Sequence, residues 1–284
     1  MTAAVLSGRE LADRIRADVR NRARALRERD IVPRCAVFAA EGDAEGIYYA
    51  ESLSKVGLKT DVDVGLVVIP SKAGTAGFAA AVAGASADPL IHGILVQRPL
   101  PAPFDRRRVC DAIVVGKDVD ASNPYSFGLL AQGTPAFAPA TAAAVLELAR
   151  SRSVVPLAGA SVVVVGRSPV VGRPVALLLS VADATVTLCH SRTRDLASVC
   201  ARADILVAAI GRPRFIGAAH VKPGATVIDV GINFVDGRMV GDVDFDAVSE
   251  IAGAVSPVPG GVGPVTTSIL LRHVVEAAEK LKGP

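Results

Sequence analysis

The chain contains no tryptophan, and aromatic residues fill only 4% of its 284 positions. With 51% hydrophobic residues, its core must therefore be built from Ala, Val, Leu and Ile. Cysteine is scarce too: Cys35, Cys110, Cys189 and Cys200 stand far apart, with no C-x-x-C pair. That spacing argues against a disulfide framework or a thiolate metal site and reads as reduced core thiols of a cytosolic protein. The four histidines show no H-x-x-x-H pairing, so no metal is expected. No run approaches the roughly 18 apolar residues that span a bilayer. The N-terminus reads as an Arg-rich amphipathic helix without the apolar core of a secretion signal. Net charge is +3 with scattered basic residues, which argues against a nucleic-acid partner. The expectation is a cytoplasmic protein with neither membrane nor nucleic acid as partner.

What is present points to two domains of ordinary size, given the length. Residues 162–174, VVVVGRSPVVGRP, organise the second. Four consecutive valines read as a buried parallel strand, β-branched, continuous and too short for a helix. Gly166 ends that strand and Gly172 lies in the following turn. Pro174 falls in the first turn of a helix, where its missing N–H costs little. Strand, glycine turn and helix start together offer backbone N–H groups and a helix dipole to a phosphate. The spacing is not G-x-G-x-x-G, so the motif alone fits a phosphate cradle and an ordinary strand–helix turn equally. Strand patterns at 184–189, 205–210 and 225–230, with a helix at 196–203, continue it as a doubly wound nucleotide-binding domain.

At the end of the second strand an NAD site usually carries an Asp or Glu for the ribose 2′-hydroxyl. This chain reads CHSRT, placing Ser191 and Arg192 there without a carboxylate. A hydroxyl and a guanidinium suit a 2′-phosphate, hence NADP. Arg167 and Arg173 flank the glycine turn, where each serves as readily as a solvated surface side chain.

The first half alternates strands at 35–40, 62–70 and 93–101 with a helix ending near Gly57 and another at 78–85. Such alternation implies βαβ units and a mostly parallel sheet, so the fold class is α/β. A helix at 137–152 leads into the second domain. Tyr48, Tyr49 and Lys55 lie on the first of the two helices, Gln97 at a strand end, and Asp118 and Asp120 in a polar loop at 114–128. Loops after parallel strands gather at one sheet edge, where ligands bind. Gln97 interrupts the apolar run ILVQ, and a buried amide needs partners. The two aspartates serve equally well as turn formers.

GILVQRPLP, KDVD before NPYSFG, VVVVGRSPVVGRPVALLL, VIDVGIN, GDVDF and SPVPGGVGPVTTSILL together resemble the bifunctional methylenetetrahydrofolate dehydrogenase/cyclohydrolase (FolD) family over nearly the whole chain. The resemblance implies two α/β domains with a cleft between them. One is a folate/catalytic domain of residues 1–138, on which a C-terminal helix at 265–284 packs back. The other is a Rossmann-like NADP-binding domain at 139–264. It also implies a folate substrate and a homodimer. Gln97 matches the Gln of V-Q-L-P-L-P, with Arg98 in place of the Leu, and Asp120 matches the pterin-holding second Asp of K-D-V-D-G, with Ala121 in place of the Gly. Gly166, Arg167, Ser168, Gly172 and Pro174 match the phosphate loop, Ser191 and Arg192 the adenosine end, and Ile232 a cofactor contact in VIDVGIN. Pro259, Gly260, Gly261 and Pro264 belong to the loop that closes over folate and nicotinamide.

One part of the pattern breaks. The family carries S-x-x-Y-V-x-x-K on its first-domain helix, and that Lys is its key cyclohydrolase residue. Aligning Tyr48 with the family Tyr places Ser52 at the Lys position and leaves Lys55 as the nearby lysine, two turns away on the face of Tyr48. The family's P-C-T-P also becomes PATA at 139–142. Hydride transfer needs mainly proximity and orientation, whereas water addition needs proton management that a serine does not supply. The resemblance with this departure predicts NADP-dependent oxidation of 5,10-methylenetetrahydrofolate to the methenyl form, with hydrolysis to 10-formyltetrahydrofolate weak or lost. Two other readings stay open: a family descendant acting on a different substrate in specialised metabolism, and a non-catalytic nucleotide-binding protein.

Overall fold

The computed structural model describes residues 2–134, 136–152 and 155–280. A short strand β1 (Ala4–Val5) precedes helix α1 (Arg9–Arg27) and strand β2 (Arg34–Ala40). Helix α2 (Ala44–Leu58) opens at Asp43, whose carboxylate accepts from the Gly46 N–H. Strand β3 (Asp63–Ile69), helix α3 (Gly74–Ala87) and strand β4 (Gly93–Val96) complete the expected alternation. Helix α4 (Arg106–Asp111) is capped by Asp105. The polar stretch expected as a loop carries a further helix, α5 (Pro124–Ala131), because Asn123 accepts from the Tyr125 N–H and Pro124 takes the first helical position. Helix α6 (Ala140–Arg152) follows, then β5 (Ser161–Val165), α7 (Gly172–Val181), β6 (Thr185–Cys189), α8 (Leu196–Cys200), β7 (Ile205–Ala208) and β8 (Thr226–Asp229). A hairpin of β9 (Asn233–Val235) and β10 (Arg238–Val240) leads to α9 (Phe245–Ser249), β11 (Ala254–Val255) and α10 (Val262–Lys280). The expected end of the last helix, residues 281–284, lies outside the described residues.

Two compact units emerge, residues 14–138 with 267–284 and residues 1–13 with 139–266. The grouping of the first residues with the folate domain is thereby corrected. Ala4 and Val5 pair in parallel with Ala254 and Val255, which makes β1 the edge strand of the second unit's sheet. That sheet has the order β1-β11-β8-β7-β5-β6 and is parallel throughout. The other unit holds a parallel sheet of order β3-β2-β4.

The scarce aromatics concentrate in the three-stranded unit. Phe38 and Phe78 lie 6.2 Å apart, and Phe78 meets Phe104 edge-on at 5.1 Å, within an otherwise aliphatic core. The six-stranded unit packs Val163, Val165, Leu206, Ile216, Val227 and their neighbours without a buried ring. All four cysteines are buried and free. Among the described residues, no helix is long and apolar enough to cross a membrane.

In the six-stranded unit, two buried carboxylates tie the loops at the sheet edge. Asp229 ends β8 and accepts from the N–H groups of Gly231, Asp242 and Val243 at 2.9–3.0 Å. Asp242 accepts from the Ile210, Gly211 and Arg212 N–H groups and from Asn233 Nδ2. Removing the second carboxylate takes away the shared acceptor of the Ile210, Gly211 and Arg212 N–H groups and of Asn233, and with it the tie between these loops. Asp242→Ala should therefore destabilise the fold by about 3 kcal/mol or more, read as a lowered urea midpoint.

Candidate functional site

In the six-stranded unit the glycine turn sits where the strand order reverses. The chain runs from β5 to β6 on one side, then crosses to β7 on the other, which puts the switch point between β5 and β7. Gly166 follows β5 there with φ +125°, and a Cβ on it would meet the Ala209 carbonyl oxygen at 1.9 Å. A Cβ on Gly172 would meet the Gly166 carbonyl oxygen at 1.8 Å. Only glycine fits either position, so helix α7 starts as close to the strand end as backbone allows. Ser168 shapes this turn itself: its Oγ accepts from the Val171 and Gly172 N–H groups at 3.0 and 3.3 Å. Arg167 and Arg173 are exposed beside it, and Pro174 is buried in the first turn of α7.

Next to this turn lies the end of β6, since the Gly166 N–H donates to the Cys189 carbonyl. Ser191 and Arg192 are exposed on the loop that follows. The loop is held by the His190 N–H on Thr193 Oγ1 and the Arg192 N–H on His190 Nδ1. A backbone cradle without side chains, flanked by a guanidinium and a hydroxyl and lacking a carboxylate, fits a nucleotide bearing a 2′-phosphate. Ile232 is exposed after β8. In the Pro259–Pro264 stretch, Gly260 has φ +109° and its carbonyl accepts from the Gly8 N–H, while Gly261 is buried and Pro259 exposed. Pro264 is half-buried at the start of α10.

The three-stranded unit brings together Gln97, Arg98, Asp118, Asp120 and Tyr49. Gln97 is the first residue past β4; its N–H donates to the Phe38 carbonyl, and its Nε2 is buried with no hydrogen-bond partner. Arg98 forms an ion pair with Asp120, both side chains largely enclosed. Asp118 is fully buried and accepts from the Ser122 and Asn123 N–H groups at 2.8 Å each; burial pushes its carboxyl up. Between the two aspartates, the Val119 carbonyl lies 2.8 Å from His273 Nδ1 on α10. Burial lowers this histidine, so its neutral ring donates from Nδ1.

Helix α2 presents a different tyrosine from the one expected. Its buried stripe is Gly46, Ala50, Leu53 and Gly57, the spacing of one helical face. Tyr49 flanks that stripe; burial, with Asp120 nearby, pushes its hydroxyl up to about 12, and it hydrogen-bonds with Thr267. Tyr48 is 73% exposed, and Ser52 and Lys55 share its solvent-facing side. Tyr48, Ser52 and Lys55 thus lie on the exposed side of α2, while Tyr49 faces Asp120. The small-residue stripe carried this signal in the sequence. Nothing local marked Arg98 as a partner of Asp120, because that pairing spans 22 positions.

Comparison with known proteins agrees with this geometry. Residues 6–120 match the family model for the tetrahydrofolate dehydrogenase/cyclohydrolase catalytic domain, and residues 139–282 that for its NAD(P)-binding domain. The chain is 52% identical to the bifunctional protein FolD of Parafrankia sp., covering 96% of this chain and 98% of that one. It is 46% identical to the bifunctional FolD of Nocardia farcinica, covering 98% of each. Among solved structures, the bifunctional FolD of Campylobacter jejuni superposes with a TM-score of 0.94 at 33% identity, covering 98% and 99% of the two chains. The Trypanosoma brucei FolD, complexed with NADP cofactor and inhibitor, gives 0.91 at 35%, covering 99% and 98%. The chain belongs to the tetrahydrofolate dehydrogenase/cyclohydrolase family.

Proposed function

We propose that this protein oxidises 5,10-methylenetetrahydrofolate to 5,10-methenyltetrahydrofolate with NADP and hydrates the product to 10-formyltetrahydrofolate. The observation that carries this reading is the polar cluster at the exit of β4, Gln97 with Asp120 and Tyr49, in a chain of this family. Relatives up to 52% identical over nearly the full length are named bifunctional, which speaks against the expected weakening of the hydration step. That expectation rested on Ser52 standing at the family's Lys position, and Ser52 is exposed on α2. The same relatives speak against a divergent substrate or a non-catalytic role.

In the six-stranded unit, the Gly166–Gly172 turn lets backbone approach the pyrophosphate, and Ser191 and Arg192 hold the 2′-phosphate. NADP, when bound, supplies the hydride acceptor. In the three-stranded unit, Asp120 and the amide of Gln97 orient the pterin, and Tyr49 remains a hydroxyl donor at neutral pH. Pro259, Gly260, Gly261 and Pro264 contact the folate in this reading. A homodimer belongs to it as well. Edge strand β3 exposes Val67 and Val68 at 38% and 43%, an apolar edge that a second copy would cover.

Purified protein should reduce NADP on addition of 5,10-methylenetetrahydrofolate and hydrate the methenyl product above its spontaneous rate. No NADP reduction overturns the reading. Arg192→Ala should raise KM for NADP about tenfold or more with little effect on NAD, since one charge-assisted contact is lost; equal changes for both would remove Arg192 from the 2′-phosphate site. Light scattering should give a dimer mass that Val68→Lys shifts towards the monomer.

A further inference from the structure

Arg98 is the member of the β4 cluster to which the proposed function gives no task. Its side chain is only 18% exposed, against 12% for Asp120. A cation in such surroundings is costly unless paired, and its partner is the carboxylate assigned to the pterin. Its neighbour Gln97 carries a buried Nε2 without a hydrogen-bond partner, a donor set for an acceptor the protein does not provide. Two independent features thus mark this strand exit as a ligand-facing point. The lysines of the flanking elements are committed elsewhere. Lys117 Nζ donates to the Asp88 carbonyl at 2.6 Å, and Lys55 is exposed on the solvent side of α2.

We propose that Arg98 is a positioning residue for the water-addition step, fixing Asp120 at the substrate and supplying the permanent positive charge that α2 does not bring to this cluster. The proposal rests on the reading of the protein as a dehydrogenase and cyclohydrolase. In that step a water oxygen bonds to the methenyl carbon and one proton is released. The bond from this carbon to N5 then breaks, the carbonyl forms, and the hydroxyl's remaining proton passes to N5. As the hydroxyl's remaining proton leaves for N5, negative charge develops on that oxygen, and a fixed cation close by favours that charge. A guanidinium keeps its proton throughout the working pH range, so Arg98 acts by charge and orientation rather than proton exchange. Hydride transfer develops no such oxyanion. The two activities therefore depend on Arg98 unequally.

Full-length wild type, Arg98→Leu and Arg98→Lys should be assayed for both reactions. Arg98→Leu should raise KM for the folate in both reactions, through the loosened Asp120, and should lower kcat for hydration about 10- to 100-fold, at least tenfold more than it lowers kcat for dehydrogenation. Arg98→Lys should recover most of the hydration at neutral pH and add an alkaline limb to its pH profile, because an ammonium loses its proton there. Wild-type hydration by Arg98→Leu overturns the proposal, as does parallel loss of both activities. Should Arg98→Leu fail to fold, the Lys variant decides: no new alkaline limb overturns the proposal, and its appearance supports it. Failure of the underlying reading looks different, since wild type itself would then carry out neither reaction.

Discussion

Buried carboxylates that grip backbone N–H groups hold the working edge of both sheets. A parallel strand cannot turn straight back into its neighbour, so the residues after each strand lose ladder partners where the chain must stay ordered. Asp118, Asp229 and Asp242 supply those partners. The cost is visible in their titration: burial raises Asp118 and pushes Asp229 up to about 6, while the donated N–H bonds pull both the other way. The carboxylates are paired with fixed dipoles instead of cations. That choice leaves the nearby cations, Arg98 above all, available for other carboxylates.

The division shows best across three consecutive residues. Asp118 turns inward to the Ser122 and Asn123 N–H groups, Val119 offers its carbonyl to His273, and Asp120 meets Arg98. Ala121 follows in a left-handed conformation at φ +46°, which sharpens the turn after Asp120. With its neighbours pinned, Asp120 has little freedom of its own. The placement of this carboxylate comes from its ion pair with Arg98 together with the bonds that fix its neighbours.

Much of this was legible in the sequence, and the exceptions share a cause. The run VVVVG and its glycines fixed strand, turn and helix because their constraints are local: β-branched burial and backbone too close for a Cβ. The loop that carries Ser191 and Arg192 was readable because the end of the second strand is a defined place in such a domain. Helix α5 escaped because its polar opening residues read as loop, when Asn123 and Pro124 are in fact its start signals. The burial of Tyr49 was legible in helical phase rather than in any motif. Gly46, Ala50, Leu53 and Gly57 mark the buried face without any motif. The pairing of β1 with β11 and of Arg98 with Asp120 lay beyond reach, being contacts between distant positions that no local pattern encodes.

Where a charge is mounted decides what it can do. Arg98 follows Gln97, whose backbone N–H is bonded to Phe38 at 2.8 Å, so its Cα is set by the sheet. A lysine on α2 would sit on a helix whose solvent side already holds Lys55, with four rotatable bonds to order before its ammonium reached the cluster. The exchange has a chemical consequence. An ammonium can orient and also trade protons, whereas a guanidinium only orients. Tyr49, with its hydroxyl pushed up to about 12, keeps its proton at neutral pH and offers a hydrogen bond rather than a base.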